Sequence, residues 1–495
     1  MPLRKKALPL LLFAVVLAGL LALSGCSYST MTERLTQDTS PAPNKAWTPP
    51  KEDEKKPAVK APGIPENLFA SKAHWTLADV IDLALRNNPA TRAAWLQALS
   101  AAANVGEKKG AYYPTLDLNV DASRVGSSAI GVQFYFSQSS WSPSAQLSYL
   151  LFDFGGRKAK VDEAREALIA ANWSHNTAIQ TVILNVETAY YQYMNARALA
   201  EAQQTALKQA ETNLEAAKVR HQAGLGTIAD VLQAKTALSQ SQLKLETYEG
   251  QMHTIRGGLA TAIGLPANTP FNIQPVSKAI PVVKVTDKVS TLIDKATMNR
   301  PDLESLKARA REAQAHVRSV KASRYPSLEL SGQAGRLYYL SPTTNRADTY
   351  NAQLSVKIPL FDGMIRRYQI IGAEADAKQA QAQFESLEDQ VVYQVWASFY
   401  TLKTAEKRLS TSRDLLASAK ESYDVALGRY KAGVGSILDL LSAQSALEDA
   451  RAQAVQARTD WLQAVAQLAY DTGTLKVHSP QTDVMIGGVE KKGKP

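Results

Sequence analysis

Glycines in residues 220–234, RHQAGLGTIADVLQA, have the spacing of a phosphate-binding loop. The string from Gly224 to Ala229 matches G-x-G-x-x-A, a pattern whose backbone amides can hold a pyrophosphate at a helix N-terminus. That chemistry also needs a buried strand directly before the glycines, whereas the preceding ETNLEAAKVRHQ is polar and helix-like. A second copy, RYKAGVGSILDLLSA at 429–443, has Leu438 in place of the last small residue. The pattern therefore does not predict a nucleotide site.

Other reactive residue types are scattered. The six histidines, at positions 74, 175, 221, 253, 316 and 478, show no metal-binding spacing, and a single cysteine excludes a disulfide framework. The formal net charge is +10, but the basic residues alternate with acidic ones instead of clustering as they do on nucleic-acid-binding surfaces. We expect no enzyme activity, no cofactor, no metal site and no nucleic-acid partner.

The single cysteine, Cys26, is predicted to carry a lipid. Three basic residues at 4–6 precede an apolar run at 7–23, the n-region and h-region of a secretory signal. A spanning helix is the alternative, since the run approaches membrane length. However, the run ends in LSGC at 23–26, which resembles the lipobox of bacterial lipoproteins. Residues 1–25 are thus predicted to be a lipoprotein signal peptide, and Ser27, in place of an inner-membrane retention Asp, favours the outer membrane.

The chain repeats its own plan once. The motifs NP at 88–89 and YP at 113–114 have counterparts RP at 300–301 and YP at 325–326, 212 positions later. LFD at 151–153 and Gly264 recur 209 positions later, at 360–362 and Gly473. We therefore predict a first repeat at 74–264, a linker at 265–290 and a second repeat at 291–473. The flanks are a Lys/Pro-rich extended tether at 26–73 and a tail at 474–495.

Each repeat predicts helices, then two strands, then a long helical hairpin. Apolar and polar residues alternate in TLDLNVDAS, SLELSGQA and AQLSVKI, which indicates strands with one polar face. The polar positions predicted to face water are Asp117, Asn119, Glu329, Gln333 and Lys357. Between 155 and 222 apolar residues recur at coiled-coil spacing without a proline, and the same spacing returns in the second repeat.

The repeated glycine motifs fall where these long helices must reverse direction. Gly224 and Gly226 would end one helix, and Asp230 would lie in the first turn of the next. Gly433, Gly435 and Asp439 would do the same in the second repeat. Glycine permits the left-handed turn at a helix end, and a carboxylate is favourable at a helix N-terminus.

The lipobox, the repeat, two strands per half and these hairpin tips together resemble the TolC-like outer-membrane efflux factors, over residues 74–475. The resemblance implies a mixed α and β membrane protein that forms a homotrimer. Four strands from each of three chains would form a 12-stranded barrel continuous with a long α-helical coiled-coil periplasmic tunnel. It also implies a passive exit duct that works with a periplasmic adaptor and an inner-membrane efflux pump or ABC exporter.

The same resemblance assigns a gate to the tips. Tyr430 and Asp439 match the family's gate Tyr and first Asp, and Asp230 matches their partner in the first repeat. Gly435 stands where some members have an Arg, and Ser442 where they have a second Asp. Capping of a helix N-terminus is the alternative role for Asp439.

The resemblance also implies that the adaptor docks at the tips. The predicted docking residues are Gly224, Leu225, Gly226, Gly433, Val434 and Gly435. The small residues would form a notch, and Ile228 and Ile437 would add apolar surface beside it. The competing hypothesis is a lipid-anchored periplasmic coiled-coil scaffold without a pore, against which the amphipathic strands argue. The sequence does not predict the cargo.

Overall fold

The computed structural model describes residues 39–40, 42–48, 75–128, 135–269, 273, 288–341 and 345–475. The predicted signal peptide, Cys26, most of the predicted tether, much of the linker and the tail beyond residue 475 lie outside the described residues.

Long helices alternate with two pairs of strands, as the hydrophobic periods predict. The elements in chain order are α1 (Leu77–Asn87), α2 (Pro89–Gly110), β1 (Thr115–Ser128), β2 (Tyr135–Phe152), α3 (Gly156–Gln222), α4 (Ile228–Ile263), α5 (Val289–Asn299), α6 (Pro301–Ala322), β3 (Ser327–Ser341), β4 (Asn345–Lys357), α7 (Ile365–Lys431) and α8 (Ile437–Asp471). Both α3 and α7 have 67 residues, and they begin at positions 209 apart. In the described part of the chain, no helix combines the length and apolar character of a membrane-crossing segment.

The described chain forms two compact units. The first contains Gln97–Asn172 and Glu304–Glu385, which include all four strands. The second contains Ser40–Leu96, Trp173–Leu303 and the chain from Ser386 onward. The boundaries fall inside α2, α3, α6 and α7, so each of these helices contributes to both units.

The strands form one antiparallel sheet in the order β1-β2-β3-β4. Cross-strand partners form a polar row, Asp117–Gln146–Gln333–Asn351, beside an apolar row, Leu118–Ala145–Ala334–Tyr350. Because successive side chains of a strand point to opposite faces, the five positions predicted to face water share one face of the sheet. The polar face also holds a hydrogen bond from the Gln333 amide to the Ser144 hydroxyl, at 3.1 Å.

Gly335 in β3 is required by the close approach of β2. A Cβ at this position would lie 2.7 Å from the Pro143 carbonyl oxygen and 2.7 Å from the Ser144 Cβ. Any larger residue would therefore push the two central strands apart.

The repeated LFD motif starts the two longest helices. A carboxylate oxygen of Asp153 accepts a hydrogen bond from the Arg157 backbone amide at 2.6 Å, and Asp362 accepts one from the Arg366 amide at 3.2 Å. Each aspartate satisfies an amide that the first helical turn leaves free. The motif therefore marks the change from strand to helix.

The core of the first unit lies between α2 and α3, where Ala102 and Val105 pack with Ala164 and Leu168. The core of the second unit gathers α1, α3 and α4 around apolar side chains. Its most deeply buried members include Ile81, Leu85, Ile183, Leu259 and Ile263. Helix α1 is fixed at its start by a capping box between Thr76 and Asp79.

Residues 40 and 42–48, here called the docked segment, are held against α3 within the second unit. The backbone of Trp47 exchanges two hydrogen bonds with the side chain of Asn176, at 2.6 and 2.7 Å. The carbonyl oxygen of Pro43 accepts a hydrogen bond of 2.9 Å from Nε2 of His175, and burial lowers the pKa of His175, which favours its neutral form. The sequence predicts an extended tether for this part of the chain, and its residue pattern gives no sign of these contacts.

Candidate functional site

The two hairpin tips contain the residues for which sequence analysis predicts a gate and a docking surface. In the first tip, between α3 and α4, Gly224 has φ +73°. The Leu225 amide donates to the Arg220 carbonyl at 2.8 Å, and the Gly224 amide donates to the His221 carbonyl at 3.0 Å. This pair of bonds is the Schellman arrangement that terminates a helix on a left-handed glycine.

The second tip, between α7 and α8, repeats the arrangement. Gly433 has φ +80°, and the amides of Val434 and Gly433 donate to the carbonyls of Arg429 and Tyr430 at 3.0 and 3.1 Å. The residues that the two motifs share therefore form the same turn.

The second glycine of each motif also has a steric role. A Cβ on Gly435 would lie 3.1 Å from the Arg429 carbonyl carbon and from the Tyr430 nitrogen, and one on Gly226 would lie 3.4 Å from Cβ of Arg220. The chain leaving each tip therefore passes close to the helix that enters it. The sequence predicts that both glycines of each motif lie at the helix end, and at Gly435 the structure adds a packing reason for the second one.

Apolar side chains are exposed at both tips. Leu225 and Val434 each have 69% of their surface exposed, and Ile228 has 57%. Ile437, which was predicted to add to this surface, is instead only 5% exposed, because it packs in a cluster with Tyr430 and Leu440. The predicted docking residues Leu225 and Val434 are therefore accessible, whereas Ile437 belongs to the core.

The two aspartates of the tips differ in their contacts. The Asp230 carboxylate accepts a hydrogen bond from the Thr227 amide at 3.0 Å, and the Thr227 hydroxyl accepts one from the Asp230 amide at 3.3 Å. Asp230 is thus half of a capping box. At α8, Ser436 accepts from the Asp439 amide at 3.1 Å, and Asp439 is exposed.

Tyr430 lies under a guanidinium that sequence analysis missed. Its ring centre is 4.8 Å from Cζ of Arg220, and only 2% of the residue is exposed. Nη1 of Arg220 donates to the Tyr430 carbonyl at 2.6 Å, and Nη2 donates to the Leu225 carbonyl at 3.1 Å. Arg220 therefore ties the first tip to the end of α7, and the recurrence of Arg at the start of both motifs was the available signal.

The electrostatic surroundings of Tyr430 include one of the predicted gate aspartates. Burial, assisted by the negative charge of Asp230, raises the pKa of Tyr430. The Tyr430 hydroxyl is buried and has no hydrogen-bond partner within the described residues. The structure thus brings Tyr430, Asp230 and Arg220 together, while Asp439 lies exposed in the first turn of α8.

A buried polar layer links the two hairpins further from the tips. The Asn213 side chain, fully buried in α3, donates to Oε1 of Gln444 at 2.6 Å and accepts from the Tyr423 hydroxyl at 3.2 Å. Such a layer favours one register between helices, because a shift would leave its buried polar atoms unpaired. Among the described residues there is no group of acidic, histidine or cysteine side chains suited to a metal ion.

Comparison with known proteins places these features in a family. The profile of the outer membrane efflux proteins matches residues 80–265 and 292–474. Protein CyaE of Bordetella pertussis is 30% identical over 378 residues, which cover 74% of this chain and 78% of that protein. The pyoverdine export outer membrane protein OpmQ of Pseudomonas aeruginosa is 28% identical over 332 residues, covering 66% of this chain and 68% of the relative.

Solved structures show the same fold. The CmeC outer membrane channel of Campylobacter jejuni aligns with a TM-score of 0.73 at 19% identity, over 80% of this chain and 85% of that channel. The outer-membrane channel OprN aligns with a TM-score of 0.71, also at 19% identity, over 85% of this chain and 98% of that channel.

Proposed function

This chain belongs to the outer membrane efflux protein family, and from that premise we propose that it is the exit duct of a tripartite efflux or secretion system. It conducts substrates passively from a periplasmic adaptor and an inner-membrane pump or ABC exporter to the exterior. Relatives are named for export, as OpmQ is for pyoverdine. The cargo of this duct is not encoded in any group that the structure describes.

The amphipathic four-stranded sheet is the observation that carries the proposal. One face is polar and the other apolar, and among the described residues β1 and β4 at its edges each pair on one side only. An open edge is a template for further pairing, and four strands are too few to enclose a lumen. We propose that three copies join these edges into a twelve-stranded barrel. Asp117, Asn119, Glu329, Gln333 and Lys357 then line water, and the apolar face meets lipid.

The equal lengths of α3 and α7 and the family match in two parts support an internal duplication. The two long hairpins of each copy then build the periplasmic tunnel. We assign the gate to Tyr430, Asp230 and Asp439 at the tips, and the adaptor-docking surface to the same tips through Leu225 and Val434. A ring of Asp439 carboxylates from three copies would concentrate cations at the entrance.

The proposed function includes a lipid that anchors the chain to the outer membrane. Acylation of Cys26 after removal of residues 1–25 fixes the chain in the outer membrane, and the rest of the protein extends into the periplasm. The docked segment supports this arrangement, because it holds the chain that follows the anchor against the helices.

Conductance of the purified protein in planar bilayers tests the proposal. We expect discrete single-channel steps from particles whose chemical cross-linking stops at three chains. Lys357→Gln and Glu329→Gln form a matched pair, since removing a positive or a negative lumen charge should shift the ion selectivity in opposite directions. A lipid-anchored scaffold would give no conductance, and that result would overturn the proposal.

A further inference from the structure

The charged side chains on the apolar face of the sheet all lie at one end of it. Among the described residues, the charged positions of this face are Arg124 in β1, Arg336 in β3, and Arg346 and Asp348 in β4. They belong to this face because each is an even number of residues from the apolar row that contains Leu118. The rest of the face is uncharged, so the cluster needs an explanation of its own.

The charged end of the face is the end away from the helices. Arg124 is four residues before the last residue of β1, Ser128, and Arg346 directly follows the first residue of β4, Asn345. The helices join the strands at the opposite end. In the proposed function the helices stand in the periplasm and this face meets lipid. The cluster then lies at the outer leaflet of the membrane, which makes this inference rest on the proposed function.

The length of the strands puts the cluster at the boundary of the hydrocarbon layer. Leu328 is the apolar residue of this face nearest the helices in β3, and Tyr338 lies ten residues further along the same face. Ten residues extend about 33 Å along a strand. At a tilt of about 40° they rise about 25 Å, the height of the apolar band of an outer-membrane barrel. Arg346 is the cross-strand partner of Tyr338, so its guanidinium can reach the headgroup layer.

Two stacked aromatic rings lie at the same level. The ring centres of Trp141 and Tyr338, which are cross-strand partners in β2 and β3, are 4.5 Å apart with an angle of 10° between the planes. Trp and Tyr favour the headgroup level of a bilayer because each has an apolar ring and a polar group. The aromatic pair therefore supports the boundary that the strand length indicates.

The cluster has an excess of positive charge. Nε of Arg336 donates to Oδ1 of Asp348 at 2.5 Å, and Arg346 lies two residues from Asp348 on the same face. Within the described part of the chain, Arg124 and Arg346 are exposed and their side chains make no ion pair or hydrogen bond. Three arginines and one aspartate leave a net charge of +2 in each copy.

We propose that Arg124, Arg336 and Arg346, here called the arginine edge, bind the phosphate groups of a phosphorylated glycolipid in the outer leaflet of the outer membrane. A guanidinium can donate two parallel hydrogen bonds to one phosphate. The apolar face next to the arginine edge accommodates the acyl chains of the same molecule. A zwitterionic phospholipid fits less well, because its headgroup also brings a cation close to the arginines.

Native mass spectrometry of the purified full-length protein tests the site. The probe is bisphosphorylated lipid A, added in detergent after treatment with EDTA, which removes divalent cations that could bridge phosphates to carboxylates. We expect wild-type protein to retain lipid A and the double variant Arg336→Gln/Arg346→Gln to lose at least tenfold in retention. Arg336→Lys should be intermediate, since it keeps the charge but not the forked geometry. Asp348→Asn should retain more lipid A than the wild type, because it removes the negative charge of the cluster.

A matched double variant controls for the loss of charge. Arg324→Gln/Arg367→Gln removes two exposed arginines near the helix end of the sheet and should retain lipid A as the wild type does. An equal loss in both double variants would show a general effect of charge and would overturn the proposed site.

Two further ligands separate a lipid site from a simple anion site. Dephosphorylated lipid A should be retained weakly by every variant, because it lacks the groups that the arginines bind. Inorganic phosphate in tenfold molar excess should not displace bisphosphorylated lipid A, because it makes no contact with the apolar face. Displacement by inorganic phosphate would overturn the assignment to a lipid.

Conductance of the same preparations separates this inference from the proposed function. Equal retention of lipid A by the wild type and by Arg336→Gln/Arg346→Gln, in protein that conducts, would overturn the arginine edge and leave the exit duct intact. Retention that depends on these arginines, in protein that never conducts, would keep the lipid site and refute the duct.

Discussion

Arg220 and Tyr430, which are 210 positions apart in the chain, form the contact that joins the two hairpin tips. The Arg220 guanidinium covers the Tyr430 ring at 4.8 Å and donates to its carbonyl oxygen at 2.6 Å. The resemblance to the efflux factors implies that Gly435 stands where some members have an arginine. The cation beside the proposed gate tyrosine is therefore supplied by the first repeat.

Removing this cation should loosen the tips. Arg220→Gln loses a cation–π contact and a charge-assisted hydrogen bond, each of about 1–2 kcal/mol, so we expect more frequent openings and a higher mean conductance in planar bilayers. Arg220→Lys should be intermediate, since it keeps the charge but not the forked geometry. Arg429→Gln, at the equivalent and exposed position of the second tip, is the control. Equal conductance of the two glutamine variants would contradict the role of Arg220.

Asp439→Ala should also raise the conductance of the isolated channel. It removes the exposed carboxylate that we place around the entrance, and it leaves the hydrogen bond between the Ser436 hydroxyl and the residue-439 amide in place. Asp230→Ala also removes a proposed gate carboxylate, but in addition it breaks a capping box and should lower the free energy of unfolding by about 1 kcal/mol. Conductance traces and thermal unfolding, recorded for both variants, distinguish the two roles. An unchanged conductance of Asp439→Ala would remove Asp439 from the gate.

Charged residues at the exposed tip positions should block adaptor docking. Leu225→Glu and Val434→Glu place a carboxylate on side chains that are 69% exposed, so we expect normal trimers and normal conductance but at least a tenfold loss of export in cells. These positions are better probes than Gly435, where a Cβ would strain the turn itself. Met298→Glu, on a 78% exposed residue of α5, is the control. Normal export by both tip variants would show that the tips are only turns.

Stability should fall as the pH rises through neutrality because of Glu187. Burial raises the pKa of Glu187 from 4.5 to about 7, so the folded state prefers the protonated acid. Its contribution to stability is complete below pH 4.5 and is lost as the pH rises through 7, a difference of roughly 3 kcal/mol per chain. Glu187→Gln should therefore unfold at a higher denaturant concentration than the wild type at pH 8 and at a similar one at pH 4.5. A parallel pH dependence of both proteins would rule this group out.

Cys26→Ala should remove acylation without removing the channel. The proposed lumen and gate residues all lie between positions 117 and 439, far along the chain from the anchor. Incorporation of labelled palmitate should be lost, whereas purified unacylated trimers should conduct as the wild type does. If they form no pores, the lipid takes part in assembly.

Local patterns predicted the strands and the hairpins because each pattern has a local physical cause. Alternation in TLDLNVDAS reflects the two faces of β1, and Gly224 and Gly433 are needed wherever a helix ends in a left-handed turn. The aspartate of each LFD motif satisfies an amide only four residues away. Such features can be predicted from the sequence because they do not depend on contacts with distant segments.

Contacts between distant segments could not be predicted in the same way. Arg220 meets Tyr430 across 210 residues, and Trp47 meets Asn176 across 129, so neither pair leaves a periodic signal. Ile437 was misjudged for the same reason, because the apolar cluster that buries it is assembled from both hairpins. The 209-residue offset between the repeats predicts a contact only where corresponding residues of the two repeats contact corresponding partners.

The docked segment sets a length limit on the whole protein. If Cys26 carries a lipid, 14 Cα-to-Cα steps separate the anchored residue from Ser40, whose carbonyl oxygen accepts a hydrogen bond from Trp95 in α2 at 2.8 Å. A fully extended chain of that length reaches about 48 Å. With a lipid on Cys26, the length of the intervening chain would keep this point of α2 within that distance of the outer membrane. Deleting residues between 27 and 38 would shorten the maximum distance between the anchored residue and α2. The length of this segment would therefore limit how far α2 can lie from the membrane.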